Sequence, residues 1–323
     1  MQNFGQIRDL MKVDMKKVDD ILTSRLDTDV DLINQMSRHI VTSGGKRLRP
    51  LLLLLCAKAT NYEGKHHYPL AVVIELIHTA TLLHDDVVDG SNTRRGGDSA
   101  NEIWGNAASV LVGDFLYSRA FEIMVEPGSM KIMRILSKAT NKIAEGEVLQ
   151  LLNIRNTDIS QSEYYGVIER KTACLFESAC QIGAILSNAP KKTVKALGNY
   201  GLHLGNAFQI IDDALDYESS AEIIGKEVGD DLAEGKITLP MIYALEKTSG
   251  AKNKFLKTAI KDHSKSKIND IVTIMTDIKA FEFTRMMAEN ESNKALKSLE
   301  NIPKSDYQKA LSLLCELSLN RKS

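Results

Sequence analysis

The chain has 323 residues, a formal net charge of -1 and 43% hydrophobic side chains. That balance argues against a basic nucleic-acid binder and an acidic disordered tail, and it supplies enough apolar residues for a large core. Aromatics make up 6% and there are 6 prolines, while Leu, Ala, Ile, Lys and Glu dominate, which favours helix over sheet. In chain order, residues 6–41 read as amphipathic helices broken near Thr28. VTSGGKRLRP (41–50) is a glycine-containing basic loop, and Pro50 suits the first turn of the apolar helix that follows. NYEGKHHYP (61–69) is a second loop, residues 70–89 form one long apolar helix, and DGSNTRRGGDS (89–99) is a polar loop. Residues 105–126 and 130–153 read as buried helices, 159–186 as one helix or two, and 192–217 as a long helix. IIGKEVGDDLAEGKITLP (223–240) is a charged loop, and residues 250–323 alternate helices with short turns and carry little further signal. No linker, low-complexity tract or repeat interrupts the pattern, so a single all-α domain over 1–323 is expected.

The four cysteines, Cys56, Cys174, Cys180 and Cys315, form no CxxC pair. A zinc site or disulfide framework is not expected, and a reducing cytoplasm is the natural setting. The N-terminal stretch lacks an apolar signal core, and the longest apolar run, Leu51–Ala57, is far short of the roughly 20 residues of a membrane span.

Two segments carry the chemistry. DDVVD at 85–89 recurs in form as DDALD at 212–216, and each closes an apolar helix. Positions i and i+4 share a helix face, so Asp85 pairs with Asp89 and Asp212 with Asp216, while Asp86 and Asp213 lie about 100° further round. Such carboxylate pairs suit a hard divalent cation that keeps waters and phosphate oxygens. One DDxxD alone could be a solvated acidic helix end, as the doublets Asp19-Asp20 and Asp230-Asp231 are. Two complete copies after apolar helices favour metal, because buried charge is costly unless paired or coordinated. Glu75 and His78 make an ExxH, but the di-iron reading needs a second ExxH, which the chain lacks. His84-Asp85 makes an HD doublet, yet the chain has 7 histidines and no partner pattern.

Cations flank the acids. GGKRLRP supplies Lys46, Arg47 and Arg49, and TRRGG supplies Arg94 and Arg95. Arginine forks suit phosphate oxygens, and glycine loops let backbone approach an anion. His78 stands two turns before Asp85 on nearly the same face. Lys171-Thr172, Lys226 and Lys236 are further candidates, although any one of these alone reads as a surface charge.

Together GGKRLRP (44–50), LLHDDVVD (82–89), RRG (94–96), GDFL (113–116), EGEVLQ (145–150), KTA (171–173), FQIIDDALD (208–216) and GDDLAEGKITLP (229–240) resemble the trans-isoprenyl diphosphate synthase family, most closely its long-chain bacterial branch. The resemblance implies an isoprenoid synthase-like helical bundle around a deep central cavity, usually a homodimer. It implies Mg2+-dependent (two or three ions) 1'-4 condensation of isopentenyl diphosphate onto an allylic diphosphate, farnesyl diphosphate being the expected primer. A product of about C40 for a quinone side chain follows from the branch. By motif, Asp85, Asp89 and Asp212 would ligate magnesium, supported by Asp86, Asp213 and Asp216. Lys46, Arg49, His78 and Arg95 would hold isopentenyl diphosphate. Arg94, Lys171, Thr172 and Gln209 would hold the allylic diphosphate, and Lys226 and Lys236 would close on its phosphates. Asp85, Asp89, Lys171 and Asp212 form the expected catalytic set.

Thr81, Ile77 and Ile74 lie four, eight and eleven positions before Asp85, and Ala80 lies five before. Short-chain members of the family carry bulky aromatics there. Small Ala80 and Thr81 therefore predict a tunnel that continues, with Met124 and Leu136 as its floor. A non-catalytic subunit of a heteromeric synthase would be expected to lose site residues, and a terpene cyclase would lack the second DDxxD and the GKRxRP loop. Neither feature is missing here. Transient contact with a membrane for product release is left open by the sequence.

Overall fold

In the computed structural model, residues 3–42, 45–94, 96–218, 229–262 and 265–320 are described. The chain folds into two compact units, each built from separated segments. The first takes 1–140, 175–201 and 298–314, and the second takes 141–174, 202–297 and 315–323.

In the first unit, α1 (Phe4–Leu26) and α2 (Asp31–Thr42) precede α3 (Leu48–Ala59) and α4 (His67–Val88). α3 and α4 are apolar all round rather than on one stripe, the signature of buried helices. Leu51 to Ala57 on α3 and Leu70 to Leu76 on α4 are almost wholly buried, apart from a slight exposure of Glu75. Each such aliphatic side chain contributes about 2 kcal/mol of burial. α4 packs most extensively on α6 (Asn106–Val125) and also on α3 and α1. α3 starts at Leu48, with Pro50 in its first turn, after Arg47 in the left-handed region (φ 42°). α9 (Cys174–Leu186) comes so close to α3 that a Cβ on Gly183 would stand 2.6 Å from the Leu53 carbonyl oxygen. The segment expected to be a polar loop after α4 carries a two-residue antiparallel ladder, β1 (Thr93–Arg94) on β2 (Gly97–Asp98). Its base is tied down by Ser99 Oγ and Asn101 Nδ2, which both donate to the Ser91 carbonyl. α5 (Ala100–Trp104) and the start of α7 (Met130–Leu152) complete the segment.

In the second unit, the expected helical stretch 159–186 is interrupted. α8 (Gln161–Ile168) starts with a capping box between Ser160 and Glu163, and a π-helical turn, Glu169–Ala173, separates it from α9. α10 (Lys191–Glu218) carries the second acidic cluster at its end. Within the charged segment that follows, a short α11 (Asp230–Ala233) forms, and α12 begins at Leu239 (Leu239–Lys247). α13 (Gly250–Asp262), α14 (Ile268–Asp277) and α15 (Ala280–Ser298) follow, and α16 (Asp306–Leu319) starts in the first unit. The region with little sequence signal supplies core: Leu256, Ile260, Ile271 and Met275 pack with Ile210, Ile211 and Leu239.

Candidate active site

In the first unit, the last turn of α4 presents its three aspartates differently. Asp85 and Asp89 are half-buried, while Asp86 is 2% exposed. Arg94, delivered by the short β-ladder, grips Asp86: its Nε donates to Oδ1 at 2.7 Å and to Oδ2 at 2.8 Å. A charge-assisted fork of this kind satisfies a buried carboxylate. Arg94 was expected on the allylic diphosphate; in the structure it pairs with the middle aspartate of the motif.

Arg49 and His78, both expected on isopentenyl diphosphate, come together. Arg49 Nη1 lies 2.9 Å from His78 Nε2. A guanidinium can only donate, so the imidazole accepts through Nε2. Arg49 also stacks on Phe176, 4.7 Å from the ring centroid, a contact that sequence reading missed because Phe176 lies far along the chain. Lys46 is exposed just ahead of α3, while Arg95 lies outside the described residues.

Glu75, His78 and His84 of the ExxH and HD patterns each have a partner in the protein. Glu75 of the ExxH faces Arg47 Nη1 at 3.8 Å. His84 of the HD doublet turns to α6, 3.4 Å from Asp114 and 3.2 Å from the Val110 carbonyl. Ala80, Met124 and Leu136 are buried. Thr81 is half-buried, and its hydroxyl donates to the His78 carbonyl at 2.7 Å.

In the second unit, the same division recurs. Asp212 and Asp216 are half-buried and Asp213 is 3% exposed. Tyr164 Oη donates to Asp213 Oδ2 at 2.6 Å and Gln209 Nε2 to Oδ1 at 2.8 Å. Thr172 Oγ1 in turn donates to Gln209 Oε1 at 2.9 Å. The expected allylic-diphosphate residues Thr172 and Gln209 are thus linked to the motif. Burial, followed by the Asp231 charge, pushes the Asp213 carboxyl up to about 8, against the opposing pull of the Tyr164 and Gln209 bonds.

Lys171 sits in the π-helical turn and pairs with Glu147 Oε2 at 2.7 Å. Gly146 makes this possible: a Cβ there would stand 2.9 Å from both the Arg170 Cβ and the Lys171 backbone nitrogen. Such single π turns often mark functional positions. Lys236 Nζ pairs with Glu234 at 2.6 Å, and the Lys236 amide donates to the Asp231 carbonyl. The Asp231 amide donates to Asp216 Oδ2 at 3.3 Å, so this segment packs over the end of α10. Lys226 lies outside the described residues. Tyr164 and Glu147 are the residues sequence reading missed. Glu147 falls within EGEVLQ, a motif already singled out, but Tyr164 stands 49 positions from its partner with no local signal.

Among the described residues, no three His, Cys, Asp or Glu side chains are gathered as a ready metal cage. The donor sets fit magnesium of the kind that takes one or two carboxylates and completes its shell with phosphate and water.

The polyprenyl synthetase family matches residues 30–278. The chain belongs to that family. It is 45% identical to the octaprenyl diphosphate synthase of Escherichia coli K12 over 320 residues, covering 99% of each chain. It is 42% identical to an all-trans-nonaprenyl-diphosphate synthase (geranyl-diphosphate specific) of Rhodobacter capsulatus, covering 95% of each. The crystal structure of a Caulobacter crescentus CB15 polyprenyl synthase complexed with calcium and isoprenyl diphosphate superposes with a TM-score of 0.96 at 41% identity, covering 100% of this chain and 99% of that one. This polyprenyl synthetase family member is therefore an all-α prenyltransferase of isoprenoid biosynthesis, and its relatives support synthesis of long-chain trans-prenyl diphosphates. The calcium complex is consistent with use of a divalent metal. Among the described residues, no helix is long and apolar enough to cross a membrane.

Proposed function

We propose that the chain condenses isopentenyl diphosphate onto an allylic diphosphate, farnesyl diphosphate being the expected primer, and releases a product of octaprenyl length for a quinone side chain. One observation carries the assignment of the acids. In both motifs the middle aspartate is buried against protein donors, and the two outer ones share a part-exposed face. Asp85, Asp89 and Asp212 would hold two or three Mg2+ ions, with Asp86, Asp213 and Asp216 supporting. Bound magnesium would supply positive charge against the diphosphate.

The chain's own cations do the rest. Arg94, Lys171, Thr172 and Gln209, with Lys226 and Lys236, orient the allylic diphosphate. Lys46, Arg49, His78 and Arg95 hold isopentenyl diphosphate. The allylic C–O bond breaks, and its electron pair leaves with the diphosphate. The double bond of isopentenyl diphosphate attacks the resulting cation at C1, and a proton is then lost to the departed diphosphate. Preorganised cations at the leaving group lower this barrier, and the site must exclude water, which would quench the cation.

Ala80 and Thr81, small side chains on the stripe below Asp85, leave room for a growing tail, with Met124 and Leu136 as the floor. Ala80→Tyr should shorten the product sharply. An unchanged product ladder on chromatography would remove the tunnel from this face of α4.

The partner is proposed to be a second copy of the chain. Val110, Leu111, Phe121 and Val125 are exposed on α6 and fall within an arc of about 100°. Light scattering after size exclusion should give the dimer mass, and a monomer at micromolar concentration would refute it. The setting is proposed to be the cytoplasm, and cell fractionation would check it.

The direct test is incubation with labelled isopentenyl diphosphate, farnesyl diphosphate and Mg2+, followed by mass spectrometry. The expected product is about C40, abolished by chelator. No incorporation would favour a non-catalytic subunit, and a cyclic hydrocarbon would favour a cyclase.

A further inference from the structure

A groove of about 810 Å3 lies in the first unit around the start of α4, lined by residues of α1, the end of α3 and the loop into α4. His67 opens α4 and Asp85 is 18 residues on, so the groove's helix end lies about 27 Å from the acidic motif at 1.5 Å per residue. Lys17, Arg25, Lys58 and Lys65 line it with Asp20 and Glu63; Asp14 lies beneath, and Arg25 is paired with Glu126 at 2.7 Å.

Two of the ammonium groups are held in place. Lys17 Nζ lies 3.2 Å from Tyr68 Oη and 5.0 Å over that ring. Lys58 Nζ stands 3.3 Å from Asp14, which also accepts from Tyr68 Oη at 2.6 Å.

His67 is the decisive residue. Its ring lines the groove and is 1% exposed, yet neither ring nitrogen has a hydrogen-bond partner among the described residues. It is wedged between Tyr62, at 5.3 Å, and Tyr68, at 3.8 Å, so it cannot readily turn out to water. Buried polar atoms are rarely left unpaired, and an orphaned pair at a pocket wall points to a ligand that completes it. Burial and the Lys58 charge hold His67 down at about 4, so it meets a ligand as a neutral ring with one donor and one acceptor.

We propose that this groove is a second, metal-independent binding site for a diphosphate-bearing ligand, held by Lys17, Lys58 and His67. It does not rest on the roles given to the acidic motifs. The ligand is free inorganic diphosphate or the head of an organic diphosphate whose carbon chain runs along the tyrosines. The test is calorimetric titration of the full chain in excess EDTA at fixed ionic strength, with inorganic diphosphate in one arm and farnesyl diphosphate in the other.

Lys17→Gln and Lys58→Gln should each weaken one binding event about tenfold, the loss expected for one charge-assisted contact. Arg49→Gln, at the substrate site, should leave that event unchanged. Binding in both arms would identify the diphosphate group alone as the determinant, and binding only in the second would identify an organic diphosphate. Lys17 is exposed, so its variant keeps the fold, and His67→Phe, checked by thermal melting, provides an independent loss. Wild-type and Lys17→Gln titrations that superimpose, or heat lost only in Arg49→Gln, would overturn the proposal.

Discussion

The two acidic motifs have the same spelling and different supports. At α4, the buried Asp86 is met by a full positive charge, the Arg94 guanidinium. At α10, the buried Asp213 accepts from the neutral donors Tyr164 and Gln209, and burial, followed by the Asp231 charge, pushes its carboxyl up to about 8. A helix that ends in DDxxD must bury its second aspartate, because that residue lies about 100° round toward the core. The chain meets this demand once with an ion pair and once with a hydrogen-bonded relay. In both motifs the middle aspartate is buried and the outer pair is half-buried. The difference shows that the support is set by what the neighbouring segment can deliver, a short β-ladder in one unit and a tyrosine from α8 in the other.

The largest effects should come from the outer acids. Asp85→Asn and Asp212→Asn are each expected to lower kcat by on the order of 10³-fold with little change in melting temperature. If both motifs act on one diphosphate, the double variant should lose much less than the product of the two losses. Fully multiplicative losses in single-turnover assays would mean that the motifs work separately.

Next comes Arg94→Met, which strands the Asp86 charge in the core and should cost about 3 kcal/mol of folding stability. Asp86→Asn in the Arg94→Met background should restore part of it in urea melts. A stability equal to wild type for Arg94→Met would mean that Asp86 is not held by this pair.

Much of this was legible in the sequence. The apolar runs of α3 and α4 announced buried helices, and the i, i+4 spacing announced which aspartates share a face. Both rest on local periodicity. The supports were not legible, for a physical reason. Arg94 is only eight residues from Asp86, but which of the motif's three aspartates it would choose depends on the two-residue ladder Thr93–Arg94 on Gly97–Asp98, too short for a strand signal. Tyr164 and Asp213 are 49 positions apart, and Arg49 and Phe176 further still, so only the packed chain brings them together. The π-helical turn that presents Lys171 has no sequence period of its own. Gly146 lets α7 approach the Arg170–Lys171 backbone within it.

Tyr164→Phe tests the neutral support directly. It should cost about 1–2 kcal/mol, less than Arg94→Met, because one neutral donor is lost and Gln209 still serves the other oxygen. A loss as large as that of Arg94→Met in chemical denaturation would erase the contrast between the two motifs.

The smallest expected effect is the most informative about how the relay serves the substrate. Thr172→Val keeps the shape of a side chain that is 7% exposed and removes only the hydroxyl bonded to Gln209 Oε1. Stability should fall by about 1 kcal/mol. Gln209 then loses the contact that fixes which end of its amide faces Asp213, so its NH2 is no longer pinned toward the carboxylate. If Thr172 and Gln209 also touch the allylic diphosphate, KM for that substrate should rise several-fold, while KM for isopentenyl diphosphate stays put. Steady-state kinetics with each substrate varied in turn separates these outcomes. Equal rises in both constants would reduce Thr172 to a packing residue, and the relay through Gln209 would then support Asp213 without reaching the substrate.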